Sequence, residues 1–120
     1  PRRTMQTQLA SLVRKARTCP RAAKELVEIE ESLGHRTVVS AQNAAAMSDV
    51  DCMAKCAIAF SEGESLRGFG KSNEIALVYA VMAAENGHCF LAEYLAAHFR
   101  GRGDQFKVRL FHNPGFANLQ

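Results

Sequence analysis

The sequence predicts an all-α fold, and three observations support this prediction. Apolar residues recur every three or four positions through most of the chain, which is the period of an α-helix. Glycine, proline and capping residues divide the chain at helical lengths. The 120 residues are 48% apolar and 22% charged, an ordinary globular composition. We predict a single helical domain over residues 1–120, a compact bundle of about three helix–turn–helix hairpins.

The first two helices are predicted on either side of Pro20. Apolar residues at helical spacing mark residues 4–16, and Pro20 suits the first position of the next helix, where its missing N–H needs no partner. Gly34 is expected to end that second helix. Residues 37–47 combine a strand-favouring start with an alanine-rich end, and we predict a short helix there.

The second half contains two further helices and a glycine-rich loop. Ser48 is the predicted cap of a helix over residues 52–60, and residues 61–72 form the clearest loop, which we expect to be mobile. The helix that follows is so evenly apolar over residues 75–82 that we predict it to be the central helix, nearly surrounded by protein. Asn86-Gly87 separates it from a last helix over residues 89–99.

The chain after residue 100 is predicted to be a flexible basic tail. Within residues 105–112, apolar and basic side chains alternate, which favours a short strand or an extended arm.

The helices pair as hairpins over roughly 4–33, 37–60 and 73–99, which suggests a repeat. An offset of 38 residues aligns the alanine-rich helices of the last two hairpins. Residues 83–88, followed by Leu91, Ala92, Tyr94 and Leu95, resemble the centre of an ankyrin repeat. That family's Thr-Pro-Leu-His opening is absent, so no family is assigned.

Cysteine usage and hydropathy indicate an intracellular, reducing compartment, either the cytoplasm or an organelle matrix. The four cysteines are irregularly spaced among apolar neighbours, as expected for small core residues rather than a disulfide framework. Cys52, Cys56, His88 and Cys89 have the wrong spacing for a structural zinc site. We therefore predict no metal and no cofactor. No apolar run reaches the roughly 20 residues needed to cross a bilayer, so we expect no membrane partner.

The net charge of +3 is unevenly distributed. Residues 1–36 have a local charge of +4, residues 37–99 of −4, and residues 100–120 of +3. Cations interleaved with aromatic rings could bind phosphates and stack on bases, so the ends are candidates for docking nucleic acid or a protein partner. The candidate residues are Arg14, Lys15, Arg17, Arg100, Arg102, Lys107, Arg109, Phe106 and Phe111.

A second candidate site lies in the glycine-rich loop. Gly70, Lys71 and Ser72 precede a helix, as at the end of a phosphate-binding loop, and could hold an anion. Ser65 stands where the first glycine of the full motif would be, and no strand precedes it.

No catalytic residue is assigned, because no group belongs to a complete catalytic motif. The leading hypothesis is a non-enzymatic helical module that binds another protein. The alternatives are a nucleic-acid-binding domain that uses the basic ends, and an anion-binding or enzymatic domain centred on residues 61–72.

Overall fold

The computed structural model describes residues 2–105, 107 and 108, and within them the chain forms six α-helices, one short 3-10 turn and no strand. The predicted all-α fold is confirmed. The helices are α1 (Arg2–Lys15), α2 (Pro20–Ser32), α3 (Val38–Ala46), α4 (Val50–Glu62), α5 (Asn73–Glu85) and α6 (Cys89–Gly101), with the 3-10 turn at Ser65–Arg67.

The helices are stacked in the order of the sequence. Each extensive helix–helix contact joins two consecutive helices, and the contact between α4 and α5 is the largest. The three predicted hairpins are α1–α2, α3–α4 and α5–α6. Because each hairpin packs mainly on the next, the molecule is elongated and measures 56 × 30 × 17 Å along its principal axes. A row of helical hairpins is the arrangement of helical-repeat proteins.

The second and third hairpins are repeats of each other at an offset of 39 residues. In both, a three-residue turn leads into a 13-residue helix. The offset of 38 predicted from the sequence is one residue too short, because alanine-rich helices align at more than one offset. Eight pairs of residues related by the offset of 39 are buried in both hairpins: Ala41 and Ala80, Ala44 and Ala83, Ala45 and Ala84, Cys52 and Leu91, Met53 and Ala92, Cys56 and Leu95, Ala57 and Ala96, Phe60 and Phe99.

Four helices end in the same hydrogen-bonded turn. The second residue after each helix has a positive φ, and the N–H that follows donates to the carbonyl five residues earlier. At the end of α5, for example, His88 N–H donates to the Ala83 carbonyl at 2.9 Å. This pattern satisfies carbonyls that the helix leaves unpaired. The residues with positive φ are Gly34 (71°), Ser48 (72°), Gly87 (94°) and Gly103 (75°).

The prediction that Ser48 caps α4 is wrong. Ser48 is the residue with positive φ that ends the preceding helix, and Asp49 is the cap, accepting a hydrogen bond from Asp51 N–H at 3.1 Å. The short helix predicted within residues 37–47 is confirmed as α3, which covers Val38–Ala46.

The described part of the C-terminal tail differs from the predicted extended arm. Gln105, Lys107 and Val108 are helical, and Asp104 caps this turn by accepting from Lys107 N–H at 3.1 Å. Val108 is buried, and the Lys107 ammonium lies 4.8 Å from the centre of the Phe99 ring. The alternating pattern predicted the wrong conformation here, because Asp104 caps a helical turn and Val108 is buried. Residue 106 and residues 109–112 of the predicted arm lie outside the described residues.

The most buried helix is α4, not α5 as predicted. Seven of its side chains are buried. In α5 only four alanines are buried, while Ile75 and Val78 are 41% and 58% exposed. An evenly apolar sequence does not reveal which side of a helix faces the core, and here the small side chains do. The buried alanines of α5 are Ala76, Ala80, Ala83 and Ala84.

Phe69 anchors the glycine-rich loop to the core. Its side chain is fully buried, and its ring packs edge-on against Phe60 with 5.0 Å between the ring centres. The loop is also tied to α3, because Thr37 N–H donates to the Arg67 carbonyl at 3.1 Å. This part of the loop, which the sequence predicts to be mobile, is therefore held in place by a backbone hydrogen bond and by the buried Phe69 ring.

We expect Phe69→Ala to destabilise the fold by about 3–5 kcal/mol, because the change leaves a cavity beside Phe60. Leu66, which is 89% exposed in the same loop, provides the control. Leu66→Ala should change the free energy of unfolding by less than about 0.5 kcal/mol. Urea denaturation followed by circular dichroism measures both. Equal effects of the two substitutions would contradict the anchoring role of Phe69.

We expect opposite effects from two substitutions in equivalent turns. Ser48→Gly should stabilise the fold by about 0.5–1 kcal/mol, because glycine adopts a positive φ without the penalty that a Cβ brings. Gly34→Ala should destabilise it by about 1 kcal/mol. The space around Gly34 is open, so only backbone strain is involved. Thermal unfolding measures both, and a destabilising Ser48→Gly would contradict the assignment.

Candidate functional site: a groove between two parallel helices

An apolar groove of about 340 Å³ runs between α3 and α5. Its lining contains no charged side chain, and its two polar residues are Gln42 and Tyr79. The residues that line it are Gln42 and Ala46 of α3, and Ile75, Val78, Tyr79 and Met82 of α5.

The loop before α5 brings the first turns of α3 and α5 to the same end of the molecule. Thr37, the residue before α3, is bonded to the Arg67 carbonyl in this loop. Ser72, the residue before α5, donates its N–H to the Phe60 carbonyl at 2.9 Å. The two helices therefore run in the same direction, with α4 packed against both. The groove lies between them.

Tyr79 connects the groove to the core. Its ring stacks on Phe60 with parallel planes and 6.0 Å between the ring centres, and both Tyr79 and Gln42 line the groove. Burial raises the pKa of the Tyr79 phenol above its ordinary value of 10.0, against the opposing effect of Gln42. At neutral pH this hydroxyl is therefore protonated and serves as a hydrogen-bonding group.

Large apolar side chains lie along the groove at helical spacing. Ile75, Val78 and Met82 are at positions i, i+3 and i+7 of α5, so they form a stripe on one side of that helix. On α3, Val39 extends the apolar surface and is 77% exposed. Contiguous exposed apolar surface of this kind is typical of sites that bind another macromolecule.

The predicted anion site has most of its polar groups engaged in the fold. Ser72 caps α5, its hydroxyl accepting a hydrogen bond from Ile75 N–H at 3.2 Å. Lys71 is exposed, but its Cβ lies close to Gly63. A Cβ built on Gly63 would be only 2.9 Å from the Lys71 Cβ. Gly70 is exposed beside them, and the Glu74 carboxylate lies in the first turn of α5, where it opposes a bound anion.

The structure separates the two predicted basic groups. Arg14, Lys15 and Arg17 are exposed at the end of α1, which packs on α2 at one end of the row of helices. Arg100 and Arg102 are exposed at the end of α6, at the other end of the row, and Lys107 follows them. The two groups therefore do not form one continuous surface. Phe106, Arg109 and Phe111 lie outside the described residues.

The cysteines divide into a buried pair and two exposed residues. Cys52 and Cys56 are buried in α4, and burial raises the pKa of each thiol from 9.0 to about 12, with Asp49 adding to the effect at Cys52. Cys19 and Cys89 are exposed. His88 cannot readily serve as a base for Cys89, because its Nδ1 accepts a hydrogen bond from Leu91 N–H at 3.2 Å. Among the described residues, no three His, Cys, Asp or Glu side chains are grouped as a metal site.

Comparisons with known proteins assign no relationship: no family model matches the chain, and neither the curated proteins nor the solved structures contain a match. Over the residues described, no helix is both long and apolar enough to cross a membrane.

The sequence of α5 contains a signal for the groove that hydrophobic periodicity alone does not reveal. In α5 the small side chains recur on one side and the large ones on another, since Ala76, Ala80 and Ala83 are offset from Ile75, Val78 and Met82. An evenly apolar helix of this kind has two apolar sides. One packs in the core, and the other is available to a partner.

We expect two thiols to react quickly in the folded protein and two only after unfolding. The exposed Cys19 and Cys89 should react with a disulfide reagent at pH 8, because they are accessible. Cys52 and Cys56 should be protected by burial and by pKa values near 12. Counting released chromophore with and without denaturant tests this, and Cys19→Ser/Cys89→Ser should abolish the fast phase. A fast phase in that variant would contradict the packing of α4.

Proposed function

We propose that this protein is a non-enzymatic interaction module of the helical-repeat type that binds another protein in the groove between α3 and α5. The observation that supports the proposal is the stripe of Ile75, Val78 and Met82, which faces α3 across an uncharged groove; Ile75 and Val78 are exposed, and Met82 is partly buried against the core. Burying an exposed apolar side chain of this size contributes about 1.5–3 kcal/mol. Ile75 and Val78, exposed on a rigid pair of helices, can therefore form the centre of an interface.

The chemistry of the groove favours binding over catalysis. Its polar groups are the Gln42 amide and the protonated Tyr79 hydroxyl. Neither is positioned as a nucleophile beside a general base, the arrangement that covalent catalysis uses. The same two groups could orient the backbone or a polar side chain of a bound protein.

The arrangement of the basic residues favours protein binding over the nucleic-acid alternative. The two basic groups lie at opposite ends of the row of helices. One consists of Arg14, Lys15 and Arg17, and the other contains Arg100 and Arg102. Because the two groups are separated, each can neutralise only the phosphates within its own reach.

We expect each groove substitution to weaken the binding of selected peptide ligands by on the order of tenfold, because it makes one apolar side chain of the interface polar. A display library of linear peptides would be selected against the folded protein. The selected peptides would then be titrated against Ile75→Gln and Val78→Gln, which keep the bulk of each side chain. Leu66→Gln and Phe90→Gln change exposed apolar residues elsewhere and should leave the dissociation constants unchanged.

Two results would oppose the proposal. The first is a selection that yields no binder, or only binders that the groove substitutions leave unaffected. The second is tight binding of a duplex oligonucleotide that weakens steeply between about 50 and 200 mM salt and is abolished when Arg14, Lys15 and Arg17 are changed to Ala. That second result would favour the nucleic-acid alternative.

A further inference from the structure

We infer that the groove between α3 and α5 takes an amphipathic α-helix whose flank facing α5 is basic. The inference deepens the proposed function and rests on it, because it specifies the chemistry of the partner at the same groove. Two independent features support it: the shape of the groove and the charges on its rim.

The shape of the groove fits a helix. The stripe on α5 spans eight residues from Ile75 to Met82, or about 10 Å along the helix axis. On α3, Val39, Gln42 and Ala46 have the same i, i+3, i+7 spacing and run in the same direction. Two helices aligned in this way present ridges into which a third helix can pack. The protein itself contains such an arrangement, because α4 packs against both α3 and α5.

The charges on the two walls are acidic. The only charged side chains in α3 and α5 are Glu74 and Glu85, and neither helix contains Lys or Arg. Both carboxylates are exposed, and neither forms an ion pair with the residues that the structure describes. A partner with cations opposite them gains attraction from charges that form no ion pair among the described residues.

The spacing of the two glutamates matches a helical partner. Glu85 follows Glu74 by eleven positions, which is close to three helical turns, so both lie on one side of α5 and flank Val78. They are about 16 Å apart along the axis. A docked helix with Lys or Arg at positions i and i+11 has its two cations as far apart as the two glutamates and on one side of the helix. Positions i+4 and i+7 lie between them on the same side.

The surroundings of α3 determine which flank of the partner is basic. Asn43 of α3 bonds to the Ala16 carbonyl at the end of α1, at 3.0 Å, whereas Gln42 faces Tyr79 of α5. Arg14, Lys15 and Arg17 flank Ala16 in the sequence and lie on this side of α3, where the Glu30 carboxylate of α2 also accepts a hydrogen bond from Ser40 of α3 at 2.8 Å. The charges on the α3 side are therefore mixed, whereas the α5 side is acidic, and a basic flank is favoured on the α5 side.

Two designed helical peptides, each about 18 residues long, test the inference. Both have leucines at i, i+3, i+4 and i+7 on one side and glutamine elsewhere. On the flank next to the leucines, four of the remaining positions, spaced j, j+4, j+7 and j+11, are lysine in one peptide and glutamate in the other. We expect the lysine peptide to bind the protein on the order of tenfold more tightly at low salt, and the difference to shrink as salt screens the charges. Fluorescence anisotropy gives the dissociation constants.

Charge reversal of the rim supplies the matched test. Glu74→Lys/Glu85→Lys should reverse the preference, so that the glutamate peptide binds more tightly. Glu25→Lys/Glu93→Lys makes the same change in net charge at exposed positions of α2 and α6 and should leave the preference intact. The effect of Glu85→Lys alone should exceed that of Glu74→Lys, because Lys71 lies one turn before Glu74. Circular dichroism establishes that each variant is folded.

The outcomes separate this inference from the proposed function. Equal binding of both peptides, with no binding of either to Val78→Gln, would overturn the basic partner and leave the groove as a binding site. Binding of neither peptide at about 1 mM would overturn the helical partner, while groove-dependent clones from the display selection would still support the proposed function. Sedimentation showing a dimer that Val78→Gln dissociates would identify the occupant as a second copy of the chain and overturn the inference.

Discussion

Close packing of alanine faces is the constraint on which the rest of the structure depends. The buried residues of α3 and α5 are all alanines, and three of the seven buried residues of α4 are, so the helix backbones can approach closely. A buried alanine loses no side-chain rotamer freedom, but it also removes little apolar area from water. The larger buried groups, Phe60, Phe69 and Leu95, lie around these alanine contacts and fill the remaining space.

This constraint explains why an apolar groove is exposed. The buried side of α5 is occupied by Ala76, Ala80, Ala83 and Ala84, and larger side chains there would separate the helices. Ile75, Val78 and Met82 consequently lie on another side of α5, toward α3. The helices remain parallel because Phe69 and the Thr37–Arg67 hydrogen bond hold the connecting loop in place. Core packing and the candidate binding surface are therefore two consequences of one distribution of side-chain sizes.

The repeated turns explain how the hairpins are stacked. Gly34, Ser48, Gly87 and Gly103 each occupy the same left-handed position after a helix, and each turn directs the chain toward its next neighbour. The sequence predicts two of these turns, at Gly34 and Gly87, because glycine after an apolar helix indicates a helix end. Ser48 was misassigned because a serine before acidic residues also predicts a helix start. The two possibilities differ only in backbone conformation, which the residue type alone leaves open.

The candidate site was less predictable than the fold, for a physical reason. Periodicity and capping depend on neighbouring residues, so the sequence by itself determined the helices, their approximate ends and their pairing as hairpins. The 39-residue register, the burial of Phe69 and the outward position of Ile75 and Val78 depend on contacts between residues distant in sequence. Only the tertiary structure decided which apolar side of α5 faces the core, because packing selects the side with small side chains and the sequence pattern contains both.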